Sequence, residues 1–407
     1  VSDVTAVPLP TLEDIQAARE ALDGVSVYTP MEESRWLSAL AGGPVRIKAE
    51  NLQRTGSFKI RGAYLRMSRL SPEEKALGVV AASAGNHAQG VALAAQLLGI
   101  HATVFMPEGA PIPKEKATRG YGAEVRFHGL SIDQALVAAR QHAEETGAVL
   151  IHPFDHIDIV TGQGTCGLEI LEQCPEAATV IVPTGGGGFL AGIATAVKTA
   201  RPDVRVVGVQ AENAAAYPAS LAAGRPVPLD AMSTMADGIA VGCPGEVPFQ
   251  AIQRYVDEMR TVSEESLSRA LLMLVERAKL VVEPAGAAAV AAMLDDPHAF
   301  ATPAVVVLSG GNIDPLLLMR VIRHGLASAG RYLYFRARIP DVPGGLAQLL
   351  NELAGVSANV LDVVHERTSA SLHLDEVEVQ LQVETRGEEH AQRVLAHLRG
   401  CGYTVTQ

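Results

Sequence analysis

Aromatic side chains are scarce in this sequence, 4% of 407 residues with a single tryptophan. Ring stacking cannot build its core. With 48% hydrophobic residues the interior must come from Ala, Val, Leu and Ile, which suits a helix-covered parallel sheet. Cysteine is equally thin: Cys166, Cys174, Cys243 and Cys401 stand far apart and show no metal-ligand spacing. A disulfide framework is excluded, and reduced thiols in a cytoplasmic protein are expected. No apolar run reaches the roughly 18 residues of a membrane span. The opening Val1-Ser2-Asp3-Val4 carries no basic leader segment, so neither a membrane partner nor export is expected. Positive charge is in deficit, 33 Lys and Arg against 45 Asp and Glu, a net of -12 that repels nucleic acid and anionic lipid. Any phosphate must therefore be held by local geometry.

What is present begins with length. Single cores stop growing at roughly 250–300 residues, so two or three domains are expected. Thr11–Leu22 has helical apolar spacing behind a threonine cap and stops near Gly24. Val45–Glu50 alternates like a strand. A β/α rhythm follows: strands at Gly78–Ala82, Ala102–Met106, Glu124–Phe127 and Ala148–Ile151, with helices at Val91–Leu98, Lys114–Tyr121 and Ser131–Glu145 between them. A second series runs through Thr179–Pro183, Val204–Val209 and Ala304–Leu308. Such alternation implies βαβ units, parallel sheets and two α/β lobes with a cleft between them. Past Arg320–Arg331 the texture changes to strand Tyr332–Ile339, helix Leu346–Ala354, strands Asn359–His365 and Asp375–Val383, helix Glu388–Leu398 and strand Tyr403–Thr406. That order is βαββαβ, the ferredoxin-like arrangement.

Four stretches point to chemistry. In Gly56-Ser57-Phe58-Lys59-Ile60-Arg61-Gly62-Ala63 a lysine stands between apolar neighbours and glycines. Burial lowers a lysine pKa, and a neutral amine is what Schiff-base chemistry with a carbonyl cofactor needs; the alternative is the start of an ordinary amphipathic helix. Thr184-Gly185-Gly186-Gly187-Gly188 lies between a strand and the helix from Phe189. Its bare N–H groups at a helix N-terminus form a phosphate cup without lysine or arginine. A flexible connector is the plain alternative, and Gly186-x-Gly188-x-x-Ala191 with Glu212 also fits a dinucleotide fingerprint. Ser83-Ala84-Gly85-Asn86-His87 opens a helix and suits a carboxylate, with Asn86 able to donate to a phenolate oxygen, or else caps that helix through Ser83 or Asn86. Ser309-Gly310-Gly311-Asn312 ends an apolar strand, where open α/β sheets bind ligands, and Ser309 either reaches a ring nitrogen or makes a local turn.

Together these four stretches, in register from about residue 10 to 325, resemble the fold-type II pyridoxal phosphate enzymes and specifically the threonine dehydratases (threonine ammonia-lyases). The resemblance implies an α/β, two-lobed fold of the tryptophan synthase β kind over residues 1–325, with a small lobe at roughly 55–155. It implies an internal aldimine on Lys59, Phe58 packed on the cofactor ring, Asn86 on the ring oxygen and Ser309 at the pyridine nitrogen. Gly185, Gly186, Gly187, Gly188 and Phe189 would hold the phosphate, and Ser83, Ala84, Gly85, Asn86 and His87 the substrate carboxylate. The implied reaction turns L-threonine into 2-oxobutanoate and ammonia, with L-serine as lesser substrate, and feeds isoleucine biosynthesis. Serine dehydratase or racemase activity is the alternative. Serine racemases carry a serine where this chain has Ala84, so one-sided elimination is expected. Their acidic metal ligands correspond to Gln210 and Ala216, so no metal is expected there, although Glu212 and Asp237 lie nearby. Threonine and cysteine synthase relatives usually follow the lysine with Asp-Arg, unlike Ile60-Arg61.

Residues 326–407 resemble an ACT domain: Asp341-Val342-Pro343-Gly344-Gly345-Leu346 is similar to its ligand loop and Asn359-Val360 to its second contact. That implies either an isoleucine or valine effector at Gly344, Gly345, Leu346, Asn359 and Val360, or a domain that only pairs subunits. A homotetramer is usual among such relatives. An amino-acid sensor with a relict catalytic core is the reading from another class, against which the intact Lys59 and glycine loop stand.

Overall fold

The computed structural model describes residues 8–366 and 375–407. The chain divides into two compact units, one ending at Asp314 and one running Pro315–Gln407. Helix Leu12–Ala21 opens the first behind a reciprocal cap, in which Thr11 Oγ1 accepts from the Asp14 N–H and the Asp14 carboxylate accepts from the Thr11 N–H. Strands β1 (Met31–Glu33) and β2 (Val45–Ala49) pair antiparallel. The chain then leaves to build a small sheet from β3 (Val79–Ala82), β4 (Ala102–Met106), β5 (Glu124–Phe127) and β6 (Val149–Leu150), all parallel in the order β5-β4-β3-β6.

It returns through β7 (Thr179–Pro183), β8 (Arg205–Ala211), β9 (Glu258–Val262) and β10 (Ala304–Leu308), completing a six-stranded sheet in the order β1-β2-β10-β7-β8-β9. Every pairing in it except β1 with β2 is parallel. β7 and β10 are buried along their whole length, which is why they read as continuous apolar runs. β1 and β9 were not expected from the sequence; both are edge strands rich in charged residues, where no apolar run announces a strand.

Helix Ile157–Gln173 was also missed, because Thr161-Gly162-Gln163-Gly164-Thr165-Cys166-Gly167 has poor helix propensity. Packing explains the glycines. A Cβ on Gly162 would stand 2.6 Å from the Arg61 carbonyl oxygen, and one on Gly192 would stand 2.4 Å from that of Val160. The helix thus lies backbone-close to helices Lys59–Ser68 and Gly188–Ala200, the two that carry the lysine and the glycine loop.

In the second unit helix Pro315–Ser328 precedes β11 (Tyr332–Pro340), helix Gly345–Gly355, β12 (Asn359–Glu366), β13 (Glu376–Glu384), helix Glu388–Gly400 and β14 (Thr404–Thr406). The antiparallel order β12-β13-β11-β14 is ferredoxin-like, as the sequence predicts. Leu333, Phe335, Ile339, Leu349, Leu353, Val379, Leu381 and Leu398 are among the residues of its core. Among the described residues no helix is long and apolar enough to cross a membrane.

Candidate active site

Lys59 is the first residue of helix Lys59–Ser68 and its Nζ donates to the Pro153 carbonyl at 3.0 Å. The residue as a whole is half-buried, yet desolvation dominates at the amine. Burial pulls its pKa down to about 8, against an upward pull from the carboxylate of Glu283. The lysine does not project into water as the start of a surface helix would.

The other three stretches converge on it. Phe58 N donates to Ser309 O at 3.2 Å and Gly311 N donates to Gly56 O at 2.9 Å, an antiparallel bridge that laces the lysine stretch to the end of β10. Asn312 Nδ2 donates to Thr55 O at 2.6 Å and to Asn86 Oδ1 at 2.8 Å, tying in the start of helix Asn86–Leu98. The rings of Phe58 and Phe189 stack with centroids 3.9 Å apart and planes 8° from parallel, which brings in the glycine loop. Phe58 was expected to pack on a cofactor ring; one of its faces is taken by Phe189, so only its other face or its edge remains for that contact.

The glycine loop is a tight, closely packed turn at the helix start. Gly187 is the N-cap of helix Gly188–Ala200 with φ 97, and a Cβ there would stand 1.9 Å from Tyr217 Oη. Among the described residues no side chain caps that helix, nor helix Asn86–Leu98, whose N-cap is Gly85. Two sets of first-turn N–H groups are left for an anion. Ser83 and Asn86, read as possible caps, do other work: Ser83 Oγ accepts from Gly85 N at 3.1 Å, and Asn86 Nδ2 donates to Glu283 Oε1. Ala84 and Gly85 line the same half-buried turn. His87 is buried, with Nε2 2.8 Å from Ile151 O. Burial, and then the neighbouring Lys59, push its pKa down to about 3, so the ring is neutral and spent on that carbonyl. For the substrate carboxylate expected at His87, the ring is therefore no donor, and its backbone N–H remains.

Reasoning from sequence missed Glu283 and Lys114. Glu283 is buried; burial raises its pKa to about 7, opposed by Lys114, reinforced by Asp237, and opposed again by the Asn86 hydrogen bond and Lys59. Its Oε2 finds no hydrogen-bond partner among the described residues, and neither does the buried Oγ of Ser57. Lys114 Nζ bonds Asp237 at 2.8 Å and lies 4.0 Å from where a Gly85 Cβ would be. The signal for Glu283 was a carboxylate alone in the run Leu280-Val281-Val282-Glu283-Pro284-Ala285-Gly286. Lys114 sits in a polar surface-like helix and gave none. Of the residues near a possible metal, Gln210 Oε1 accepts from Tyr217 N at 3.0 Å and Glu212 is exposed.

These residues fit pyridoxal phosphate. An amine with a lowered pKa, orphaned polar atoms beside it and an uncapped glycine turn suit an aldehyde with an anionic arm.

The effector residues behave differently. Asn359 and Tyr332 both align with Glu384, whereas Pro340 aligns with Glu376. The loop at Gly344, Gly345 and Leu346 therefore sits at the far end of the sheet from Asn359 and Val360, eight residues along β11 or roughly 26 Å. Within one chain the two halves of that expected site do not meet.

Comparison with known proteins bears on the first unit and on the whole chain. The family of pyridoxal-phosphate-dependent enzymes matches residues 24–310. An L-threonine ammonia-lyase of Thermotoga maritima is 46% identical over 395 residues, covering 97% of this chain and 98% of its own. A catabolic L-threonine dehydratase of Staphylococcus aureus is 44% identical over 321 residues, 78% of this chain and 93% of its own. The crystal structure of a threonine deaminase from T.th. superposes with a TM-score of 0.71 at 44% identity, covering 75% of this chain and 99% of that one. The dinucleotide reading of the glycine loop falls with these matches, since the loop lies inside the pyridoxal phosphate family's span. From geometry and kinship together, the chain belongs to the threonine ammonia-lyases, within the fold-type II family of pyridoxal-phosphate-dependent enzymes.

Proposed function

We propose that the chain deaminates L-threonine to 2-oxobutanoate and ammonia. The observation that carries the reading is the convergence of a desolvated Lys59 amine with Asn86, Ser309 and the uncapped glycine turn, in a chain related along nearly its full length to an L-threonine ammonia-lyase. Pyridoxal phosphate, when bound, supplies an electron sink for a substrate joined to it through nitrogen. The N–H groups of Gly185, Gly186, Gly187, Gly188 and Phe189 would hold the phosphate arm. Asn86, fixed by Glu283 and Asn312, has one N–H left for the ring oxygen. Ser309 would face the ring nitrogen as a neutral residue, and a neutral partner there would favour elimination.

The substrate carboxylate meets the first-turn N–H groups of helix Asn86–Leu98, with Lys114 adding positive charge behind Gly85. With substrate in place, Lys59 Nζ would be the base for the α-proton, and a pKa near 8 lets a usable fraction be neutral at neutral pH. Ala84 offers no acid at its position, so protonation from that side to give a D-amino acid is disfavoured. The test is turnover and absorbance. The purified protein should show the chromophore of lysine-bound cofactor and release 2-oxobutanoate from threonine; Lys59→Ala should lose that chromophore and at least about a thousandfold of the rate. A wild type with no chromophore, or a variant with native turnover, sinks the proposal. Serine differs by one methyl, about 1–3 kcal/mol of discrimination, so a serine rate lower by roughly 10–200-fold is expected and no D-serine.

The role we favour is supply of 2-oxobutanoate for isoleucine synthesis, under amino-acid control at the second unit. Support comes from relatives: the Thermotoga maritima match covers 97% of this chain and the catabolic one 78%. Because the loop at Gly344 and the strand at Asn359 lie at opposite ends of one sheet, an effector touching both needs two copies of the unit, in keeping with the expected homotetramer. Isoleucine or valine should lower turnover and alter assembly mass; indifference to both leaves the catabolic role standing.

A further inference from the structure

The second unit carries a convergent set of donor atoms that the catalytic reading does not use. Glu352 projects from helix Gly345–Gly355, His397 from helix Glu388–Gly400, and Cys401 is the C-cap of the latter. His397 Nε2 is 2.7 Å from Glu352 Oε2, Cys401 Sγ is 3.4 Å from the same oxygen, and Sγ is 3.7 Å from the same nitrogen. One atom from each residue thus forms a triangle.

The geometry points to a mononuclear zinc(II) site formed by Glu352, His397 and Cys401, with a fourth position open to water or another ligand. Zinc at about 2.3 Å from sulfur and about 2.0 Å from nitrogen and oxygen, at tetrahedral angles, separates its ligand atoms by roughly 3.3–3.6 Å. The two distances to sulfur already lie close to that range. Only the nitrogen–oxygen edge must open, by roughly 0.6 Å, exchanging one hydrogen bond for two metal bonds. Both side chains have the freedom to do so, at 38% and 39% exposure.

The backbone behind them has none. Leu353 and Leu398, the next residues after Glu352 and His397, are fully buried in the core, and four-residue spacing puts His397 and Cys401 on one face of their helix. A nucleophile–imidazole–carboxylate relay would need both ring nitrogens. Here Nε2 alone faces both partners, which fits a shared centre and not a relay. Sulfur and nitrogen donors disfavour calcium and magnesium, and a mixed S/N/O set of three suits zinc. On binding, the thiol proton of Cys401 leaves to solvent as the sulfur–metal bond forms. Reading the cysteines by spacing alone missed the set because Glu352 lies 45 residues before His397.

The metal would pin helix Gly345–Gly355 to helix Glu388–Gly400, and the inference holds whatever the first unit catalyses. Its test titrates the full-length, chelator-treated, reduced protein with cobalt(II), read as a difference spectrum against metal-free protein to remove cofactor absorbance. Thiolate-to-cobalt charge transfer with tetrahedral d–d bands should saturate at about one equivalent per chain and be displaced by zinc(II). Cys401→Ser should abolish the charge-transfer band, and Glu352→Gln should weaken binding at least about tenfold. Threonine turnover without metal should be unchanged in both. A wild type with no thiolate band, which depends on no variant folding, overturns the site, as does a band that survives Cys401→Ser.

Discussion

Two buried polar clusters lie within a few residues of each other in the first unit, and they are built on opposite plans. Behind the lysine, Arg61 makes a paired contact with Glu50 through Nε and Nη2, each 2.8 Å, and bonds Glu169 at 2.6 Å and Thr165 at 3.1 Å. Lys48 completes the group on Glu169, on the Thr29 carbonyl and on Gln173. Two positive groups face two negative ones, all shut from water. Burial pushes the Glu50 carboxyl up, but Arg61 and Lys48 overcome it and hold it below its ordinary range. None of these four residues has a buried polar atom without a partner among the described residues. In front, among the described residues, Lys59, Glu283, Asn86 and Ser57 are only partly paired, Glu283 Oε2 and Ser57 Oγ not at all. The closed cluster fixes where helix Lys59–Ser68 begins; the open one keeps bonding capacity for something that arrives later.

The contrast can be broken experimentally, starting with the closed cluster. Arg61→Ala strands two carboxylates away from water and should cost about 3–5 kcal/mol of stability in urea or thermal unfolding, with activity lost in proportion to folded protein. An unchanged unfolding midpoint would mean the network is not held closed in solution.

Glu283→Gln addresses the open cluster. A carboxyl whose native pKa is raised from its ordinary 4.5 to about 7 keeps a proton that the unfolded chain releases. Wild-type stability attributable to it is therefore full below about pH 4.5, falls as pH rises, and is gone above about pH 7. In cofactor-free protein the glutamine variant should lack that loss and match or exceed wild type by roughly 1–3 kcal/mol at pH 8. Parallel pH–stability curves would place Glu283 with the closed cluster.

The smallest effect is expected from Ser57→Ala. Its hydroxyl has no partner among the described residues, so removing it from cofactor-free protein should lower stability by no more than about 0.5 kcal/mol. A cost above about 1 kcal/mol would reveal a partner in solution and blur the distinction.

The open cluster was legible in the sequence where a requirement is written locally. A glycine run between strand and helix, or a lysine flanked by apolar residues, states its constraint within eight residues. The closed cluster was not, since Glu50, Arg61 and Glu169 each look like a surface charge until folding brings them together. Lys114 was hidden for the same reason, while Glu283 showed only as a lone carboxylate in an apolar run. The β/α rhythm gave away the buried strands of both sheets and missed β1 and β9, the charged edges of the larger one. In the second unit the element order was readable, but register was not, and register separates Gly344 from Asn359.

The glycine seam along helix Ile157–Gln173 carries a further lesson. With the carbonyl of Arg61 where a methyl on Gly162 would go, three helices meet with no slack between their main chains. A methyl on Gly162 would push the start of the lysine helix outward and carry the reactive nitrogen with it. Positions that never see substrate should therefore tolerate change as poorly as those that do.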